Sequence, residues 1–481
     1  MKSRSFLALL PLVALSILPL HADNNVAPPG YTALFDGKTL SGWYGWNTQD
    51  PNDLRKQSPE EQAEYKKKSI EGGLLDKKGN PLNDHLNAHW RVENGELVND
   101  GHGLYATTNK DYGDFELLVE YKALPDGDSG VYLRGIPQVQ IWDSTKGDPR
   151  GLGQDKGSGG LWNNSKGAPG KDPSKKMDKP FGEWNTLKVR MIGERVTVVF
   201  NGETVVDNCV LENFFANQKA GYLAWGKQPA KDAATPEQKP PNGYMRDPAF
   251  PKGPIQLQTH GSEIRWRNIY LHEITPEEAD KELRARRGSD GFVELVNGKD
   301  LSNWQNAVDN YEVKDGAIVC KPGKGGDLLS KEEYEDCVIK VEFKLPHAGN
   351  NGIALRTPLG GHSSSDGFEI QVLDSDGYNE DHKDHPLLPY QYHGSLYHCV
   401  GAKHGYLRPV GTWNYEEIEV RGQKITVTLN GTKILDVDCD TFDRSQIAHP
   451  PKGLDHRKGY IGFAGHNDPV EFRSFQVKRL N

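Results

Sequence analysis

Two polar residues of the second half, Glu369 and Gln371, alternate with aliphatic residues in the run Phe-Glu-Ile-Gln-Val-Leu-Asp. In an extended strand, residues two apart point to the same face. Glu369 and Gln371 are therefore predicted to share one face, opposite the aliphatic side chains. Asp374 is at an odd offset and can join them only through a bulge or at the strand end. A carboxylate beside an amide can move a proton and bind hydroxyl groups.

The strand just upstream supplies two further candidates, Asn351 and Arg356. We expect them to converge with Glu369, Gln371 and Asp374 on the floor of a sugar-binding sheet. There Arg356 would stabilise developing negative charge. The alternative is a buried Arg–carboxylate pair that only braces the sheet, because a buried charge needs a partner.

The first half carries a related but unequal set, namely Arg134, Gln138, Gln140 and Asp143. Gln138 stands where the second half has Glu369. A glutamine cannot accept a proton as a general base. The first half is therefore predicted to bind sugar without turning it over, unless Asp143 itself serves as the base.

Histidines are concentrated after this run, in 381–385 and at His393, His398 and His404. Histidine can bind a divalent metal or shuttle protons. The spacing matches no defined metal motif, so a polar loop with exposed histidines is the alternative. In the run His-Gly-Ser-Leu-Tyr, His393 or Tyr397 could reach a sugar ring, as an acid or as a stacking platform.

His260 and His466 precede the last strand-like segment of each half at like positions. Each could reach the polar face as a substrate contact. A structural hydrogen bond is the alternative role.

These residues lie in a chain that repeats itself once. The matching segments are 31–43 with 292–304, 91–98 with 312–319, 114–134 with 336–356, 182–185 with 411–414, and 255–274 with 461–480. The period is far longer than that of a solenoid, so the sequence predicts two homologous domains.

The repeated segments favour β structure. Each half has an Asn-Gly pair, at 201–202 and 430–431, between two runs rich in β-branched residues. Asn-Gly is typical of a type I′ hairpin turn. Many short strands with such turns predict an all-β chain of two antiparallel sandwiches or jelly rolls in tandem. A helix-like insert at 58–68 occurs only in the first half and is interpreted as a solvated surface excursion.

The domain plan follows from composition. Residues 1–22 combine a basic start, an apolar run and a small-residue exit, which is typical of a secretory signal peptide. The mature protein is therefore expected outside the cytoplasm, periplasmic or secreted. The first domain is predicted at 29–274, a charged helical linker at 275–288 and the second domain at 289–481.

Several function classes are disfavoured. The net charge of −9 argues against a nucleic-acid partner, which needs a basic surface. No other stretch is long and apolar enough for an integral membrane span. Motifs of serine hydrolases, NTPases, zincins and Rossmann enzymes are absent. The 5 cysteines are widely spaced, so one or two disulfides are possible but not assignable.

The ordered motifs resemble the 3-keto-disaccharide hydrolase domain family, also described as 3-keto-glycoside 1,2-lyase/3-keto-2-hydroxyglucal hydratase. They are Phe-Asp-Gly-Lys-x-Leu-x-x-Trp, Gly-x-x-Leu-Arg, (Glu/Gln)-x-Gln-x-x-Asp, Gly-x-Trp-Asn and the Asn-Gly hairpin, once in each half with small departures. The resemblance implies two concanavalin A-like β-jelly rolls. It also implies a glycoside substrate and export from Gram-negative bacteria.

The chemistry implied by the resemblance is proton abstraction beside a ketone. A ketone at C3 of the sugar acidifies the proton at C2, the C1 substituent leaves, and water adds back. On this chain the resemblance implies Glu369 or Asp374 as base, Arg356 as stabiliser and His393 as acid. No cofactor is clearly implied, and a divalent metal remains possible.

Two other classes stay open. A lectin-like protein of the same fold would bind carbohydrate without turnover. An ordinary glycoside hydrolase would need two paired carboxylates, and the run Glu369-x-Gln371 lacks the second.

Overall fold

The computed structural model describes residues 24–219, 247–447 and 449–480. The predicted signal peptide, residues 1–22, lies outside the described residues. The described chain is built mainly of β-strands in four antiparallel sheets, two in each half. This confirms the prediction of an all-β chain with two concanavalin A-like jelly-roll sandwiches in tandem.

The first half pairs a sheet of eight strands with a sheet of five. The larger has the order β11-β10-β9-β6-β13-β4-β3, with β1 beside β13, and the smaller has the order β2-β5-β12-β7-β8. The strands are β1 Thr32–Ala33, β2 Trp43–Trp46, β3 Trp90–Glu93, β4 Glu96–Asn99, β5 Tyr105–Thr108, β6 Phe115–Ala123, β7 Asp128–Leu133, β8 Ile136–Trp142, β9 Asn185–Ile192, β10 Arg195–Phe200, β11 Glu203–Val210, β12 Gln256–Leu257 and β13 Ile264–Glu273.

The second half repeats this arrangement. Its larger sheet has the order β16-β17-β26-β19-β22-β23-β24, with β14 beside β26, and its smaller sheet has the order β15-β18-β25-β20-β21. The strands are β14 Val293–Glu294, β15 Trp304–Asn306, β16 Tyr311–Lys314, β17 Ala317–Cys320, β18 Gly325–Tyr334, β19 Cys337–Lys344, β20 Asn350–Thr357, β21 Phe368–Leu373, β22 Trp413–Arg421, β23 Lys424–Leu429, β24 Thr432–Asp438, β25 Gly459–His466 and β26 Glu471–Arg479.

Seven short α-helices accompany the sheets. They are α1 Pro51–Arg55, α2 Pro59–Glu71, α3 Leu86–His89, α4 Phe214–Lys219, α5 Pro276–Ala285, α6 Ser363–Asp366 and α7 Ser375–Asp381. This count covers the described ranges only. None of the helices within those ranges is long and apolar enough to cross a membrane.

A hydrophobic core fills the space between the two sheets of each half. Strand β23 shows how the sequence achieves this, since Ile425, Val427 and Leu429 are buried while the residues between them are more exposed. Burying each such side chain contributes about 1.5–3 kcal/mol. The face of each smaller sheet turned away from this core is then left for polar side chains.

Both predicted hairpin turns form. Asn201 and Asn430 have φ of 48° and 49°, and Gly202 and Gly431 follow with φ of 87° and 89°. A type I′ turn needs positive φ at both central residues, which Asn and Gly tolerate.

Helix α5 connects the halves. Thr275 caps its first turn in a reciprocal capping box with Glu278. Glu282 lies 2.6 Å from Arg190 of the first half, and Asp280 lies 2.7 Å from Arg473 of the second. The charged side chains of this helix therefore tie it to both sandwiches.

The insert of the first half is more than a solvated excursion. Helix α2 packs against β2: the Tyr65 hydroxyl donates to the Gly45 carbonyl at 3.1 Å, and the Gly45 amide donates to Ser69 Oγ at 2.9 Å. The small sheet of the first half is thus partly covered on its outer face.

All five cysteines are described, and all five are free. The disulfides that the sequence left open are not formed in this structure.

Candidate active site

The polar floor lies on the outer face of the smaller sheet of the second half. Ile370 and Val372 of β21 pack into the core, so Glu369 and Gln371 project from the opposite face. The structure brings these two together, as the alternation of the sequence requires.

Glu369 lies at the centre of this floor and is only 2% exposed. Its Oε1 is 3.2 Å from Nε2 of His466, at the end of β25. Its Oε2 is buried and has no hydrogen-bond partner among the described residues. Gly352 lies beneath the carboxylate, and a Cβ there would collide with Oε1. One oxygen is thus held by the histidine, and the other is buried without a hydrogen-bond partner among the described residues.

His466 is the exposed partner of this pair, with 36% of its side chain accessible. Its hydrogen bond with Glu369 raises the pKa of His466 above its usual value, against an opposing effect of burial. The raised pKa favours the imidazolium, which donates from both ring nitrogens.

A second carboxyl group, Asp327 of β18, belongs to the same face and was not among the predicted site residues. Asp327 Oδ2 accepts from the Ser363 amide at 2.7 Å. Burial raises the pKa of Asp327, and the charge of Glu369 adds to the effect. The clue in the sequence was one acidic residue next to two leucines, in Gly-Gly-Asp-Leu-Leu.

Gln371 extends the floor beside Glu369. Its Nε2 donates to Asn350 Oδ1 at 3.0 Å, and its buried Oε1 has no partner in the described ranges. An amide oxygen left free in this way can accept a hydroxyl group.

Tyr397 and His398 form the edge next to Glu369. The Tyr397 amide donates to the Glu369 carbonyl at 2.9 Å, so this segment runs alongside β21. Both side chains are partly exposed. Burial lowers the pKa of His398, which keeps that ring neutral at lower pH than usual.

Arg356 does not converge with Glu369. It has φ of 49° at a register shift of β20, which turns its side chain away from the floor. Its Nη1 donates to Gln423 Oε1 at 2.7 Å and to the His456 carbonyl at 3.0 Å. The structure thus gives Arg356 a bracing position, with neutral acceptors in place of the carboxylate considered above.

Asp374 also leaves the floor. It is the N-cap of α7, and its Oδ2 accepts the Ala348 amide at 2.9 Å. Aspartate at an N-cap satisfies backbone amides that the helix leaves unpaired. The bulge needed to return it to the face of Glu369 is absent from β21, which pairs regularly with β20 along its length.

His393 lies inside the sandwich. It is 5% exposed, its Nδ1 accepts the Leu373 amide at 3.3 Å, and its Nε2 is 3.0 Å from Glu416 Oε2. Asn351 is likewise fully buried on the core side, since it pairs with Val372. Neither side chain joins the floor where Glu369 lies.

The first half has a corresponding floor. Gln138 Nε2 donates to Gln140 Oε1 at 2.6 Å, and Gln140 donates to Asp128 Oδ1 at 2.9 Å. His260 Nδ1 lies 3.0 Å from Asp128 Oδ2, and this bond raises the pKa of His260. The structure therefore brings Gln138, Gln140 and His260 to one face through Asp128.

The other two candidates of the first half, Arg134 and Asp143, lie off the floor, as Arg356 and Asp374 do in the second half. Arg134 has φ of 55° and donates to the carbonyls of Gly113 and Phe250 at 2.9 and 3.0 Å. Asp143 caps a short 3-10 helix by accepting the Thr145 amide at 2.9 Å. Neither lies on the floor with Gln138.

A metal ion would need several ligand side chains held close together. Within residues 24–219, 247–447 and 449–480, no group of three or more His, Cys, Asp or Glu side chains is arranged to hold a metal ion. The histidines of 381–404 do not form such a group.

Jelly rolls occur in lectin domains but also in viral capsids and cupins, so the fold by itself leaves the class of protein open. Comparison of sequences makes the assignment finer. The 3-keto-alpha-glucoside-1,2-lyase-like domain matches residues 30–272 and again residues 291–478. The chain therefore belongs to this family, with two copies of its domain in tandem.

Individual relatives are distant. A curated 3-keto-disaccharide hydrolase of Bacteroides thetaiotaomicron is 23% identical over 235 residues, which are 40% of this chain and 80% of that protein. Two crystal structures from Parabacteroides distasonis, provisionally assigned as glycosyl hydrolases, are 24% and 26% identical. They cover 42% and 39% of this chain and 97% and 99% of their own, with TM-scores of 0.37 and 0.35.

Proposed function

We propose that this protein is an exported enzyme that cleaves 3-keto-glycosides at the second domain. The reaction would abstract the C2 proton, eliminate the C1 substituent and hydrate the product, for net hydrolysis. Family membership supports a carbohydrate-active enzyme of this kind. The observation that carries the proposal is Glu369, a buried carboxylate with one oxygen held by His466 and the other free.

Glu369 is the general base of this proposal. A ketone at C3 makes the C2 proton acidic, and a carboxylate oxygen without a partner can accept it. Burial excludes competing water from this oxygen and strengthens its interaction with a bound sugar.

The role proposed for His466 is to stabilise the negative charge that forms on the C3 oxygen. Its raised pKa favours the protonated ring, and one nitrogen faces Glu369 while the partly exposed side chain reaches the solvent side. A preorganised donor at a developing oxyanion is a large source of rate acceleration.

Asp327 is the general acid of this proposal and would protonate the leaving oxygen. Its pKa is raised by burial, so it keeps a proton to higher pH than an ordinary aspartate. A carboxyl group with a raised pKa can serve as the acid of a reaction. His398 lies beside Glu369 with a lowered pKa, so it is suited to accept a proton rather than to deliver one.

A lectin-like role is favoured instead for the first domain. Gln138 and Gln140 occupy the positions of Glu369 and Gln371, and a floor of amides can bind hydroxyl groups but cannot take a proton. We propose that this domain contributes carbohydrate binding and no turnover.

The test is turnover of the purified mature protein on a 3-keto-glucoside beside its unoxidised parent glucoside. We expect product only from the keto sugar, detected by chromatography. Cleavage of both substrates would identify an ordinary glycoside hydrolase. Binding of both without any product would leave a carbohydrate-binding protein.

Export is part of the proposal and rests on residues 1–22. The full chain should yield a mature form that begins after that segment. Cell fractionation with N-terminal sequencing would detect it in the periplasm or medium, and retention of the full-length chain in the cytoplasm would contradict export.

A further inference from the structure

A cluster of four aromatic rings borders the floor of the second domain. Tyr397 stacks obliquely on His398 at 4.3 Å between ring centroids, and Tyr390 lies 6.1 Å from Tyr397 and 5.7 Å from His398. His449 extends the cluster 5.6 Å beyond His398. We call Tyr390, Tyr397, His398 and His449 the aromatic wall.

The strand register decides which way the wall faces. Leu396 bridges Ile370, and both side chains are fully buried in the core. Residues opposite each other in antiparallel pairing share a face, and successive residues alternate. Tyr397, paired through its amide to the Glu369 carbonyl, therefore projects on the same face as Glu369.

The aromatic wall lies close enough to Glu369 for His398 to interact with it electrostatically. Glu369 acts on His398 through space, yet burial dominates and lowers the pKa of that histidine. The side chains of the aromatic wall include no carboxylate and no amide, which are the groups that usually form hydrogen bonds with sugar hydroxyls.

The first domain lacks this feature at the same place. Its segment 158–162 runs beside β8 as 393–397 runs beside β21, which puts Trp162 at the position of Tyr397. The indole donates to the Leu152 carbonyl at 2.9 Å and packs on Trp142 at 6.0 Å. The next residue is Asn163, where the second domain has His398.

On the basis of the proposed function, we infer that the aromatic wall is the leaving-group subsite and that it selects glycosides whose aglycone carries an aromatic ring. The reacting C1 substituent leaves from the carbon next to the proton that Glu369 removes, so the leaving group must lie within a few ångströms of this carboxylate. The rings beside Glu369 offer flat apolar faces to that group. Offset or edge-to-face packing of one more ring adds a modest, geometry-dependent stabilisation.

The test uses two substrates with leaving groups of nearly equal acidity. These are the 3-keto forms of 2-phenylethyl glucoside and 2-cyclohexylethyl glucoside. We expect kcat/KM to favour the phenyl compound by roughly 3- to 10-fold, the range given by one aromatic contact. Tyr397→Leu should reduce this ratio to about 1, whereas Tyr397→Phe should keep it.

Trp162→Leu is the matched control, because it changes the corresponding residue of the first domain and should leave the ratio as in the wild type. Equal kcat/KM for the two compounds in the wild type would overturn the inference. So would a 3-keto-disaccharide that is used better than the phenyl compound.

Binding separates this inference from the proposed reaction. In the Glu369→Gln protein, calorimetry should give a lower Kd for the phenyl compound than for the cyclohexyl compound. If that preference appears while the wild type turns over neither, the subsite stands and the proposed reaction fails. If turnover occurs but no preference appears in either measurement, the reaction stands and the subsite is wrong.

Discussion

Each domain has a polar floor on its smaller sheet, but the side chains on the two floors differ. Tyr105 and Tyr132 of the first domain occupy the strand positions of Asp327 and Ala354 in the second. The two tyrosines pack edge to face at 5.5 Å, and Thr48 bonds both hydroxyls at 3.1 and 2.8 Å. The first floor thus carries two tyrosines tied to each other and to Thr48, whereas the second carries Asp327 and a small alanine beside Glu369.

The same contrast continues in the neighbouring strand. Gln256 and Gln258 of the first domain correspond to Gly462 and Ala464 of the second. The two glutamines are larger than the glycine and alanine, so the first floor is narrower at these positions than the second. Duplication thus preserved the scaffold in both copies, while side-chain volume and one Gln-for-Glu difference separate their chemistry.

The largest effect is expected from a substitution of Glu369 that removes the difference between the two floors. Glu369→Gln gives the second floor the amide that the first floor already has as Gln138, so the fold should persist. Loss of a general base should lower kcat about 10³-fold, or about 4 kcal/mol of barrier. Steady-state kinetics on a 3-keto-glucoside measures this. Gln138→Glu is the matched control and should leave kcat unchanged; equal loss in both variants would contradict unequal domains.

The second prediction concerns a feature that the domains share. Arg356→Met leaves buried carbonyl acceptors without a donor and should lower the free energy of unfolding by about 3 kcal/mol. Arg134→Met should cost at least as much, because Arg134 donates to two carbonyls and also pairs with Asp114 at 3.1 Å. Urea unfolding followed by tryptophan fluorescence measures both. If Arg356→Met instead abolished turnover in fully folded protein, the bracing role would be wrong.

The third prediction uses pH. Because Glu369 raises the pKa of His466, their bond stabilises the protonated fold. This stability should be fully present below about pH 6.5, the usual histidine value, and lost as pH rises through the raised pKa. The destabilisation caused by His466→Gln should therefore shrink at higher pH, in urea titrations run across pH 5–9.

His260→Gln should follow the same trend, since Asp128 raises the pKa of His260 in the same sense. A destabilisation that stays constant with pH in either variant would rule out the ion pair in that domain.

The smallest expected effect is at the two caps. Asp374→Ala and Asp143→Ala each remove an N-cap and should cost about 1 kcal/mol of stability. Turnover per folded molecule should not change for either. Thermal unfolding and kcat on the same samples measure this, and a selective loss of kcat in Asp374→Ala would return Asp374 to the list of candidate bases.

Much of the scaffold could be predicted before any coordinates. The Asn-Gly hairpins and the alternation around Glu369 are local signals, because each depends on residues close together in the chain. The duplication is found by comparing the two halves of the sequence with each other. They specified two sandwiches and put Glu369 and Gln371 on one face. The helix over Pro276–Ala285 could also be predicted, from the residues that cap its first turn.

The predicted site was less complete. Arg356 and Asp374 are near Glu369 in sequence, but a register shift and a helix cap direct them elsewhere. Asp327 is far away in sequence and reaches the floor only because β18 and β21 belong to one sheet. Sequence proximity is a poor guide here, since antiparallel pairing joins residues from distant strands.

The sequence by itself determined the two-domain β architecture, the family and the alternating polar face that holds Glu369. Only the tertiary structure decided which side chains share that face. His466, Asp327 and the aromatic wall come to Glu369 through strand order and register, while His393 is drawn into the core beside Glu416. The physical reason is that alternation along a strand is fixed by backbone geometry, whereas neighbours across a sheet are fixed by how the whole chain packs.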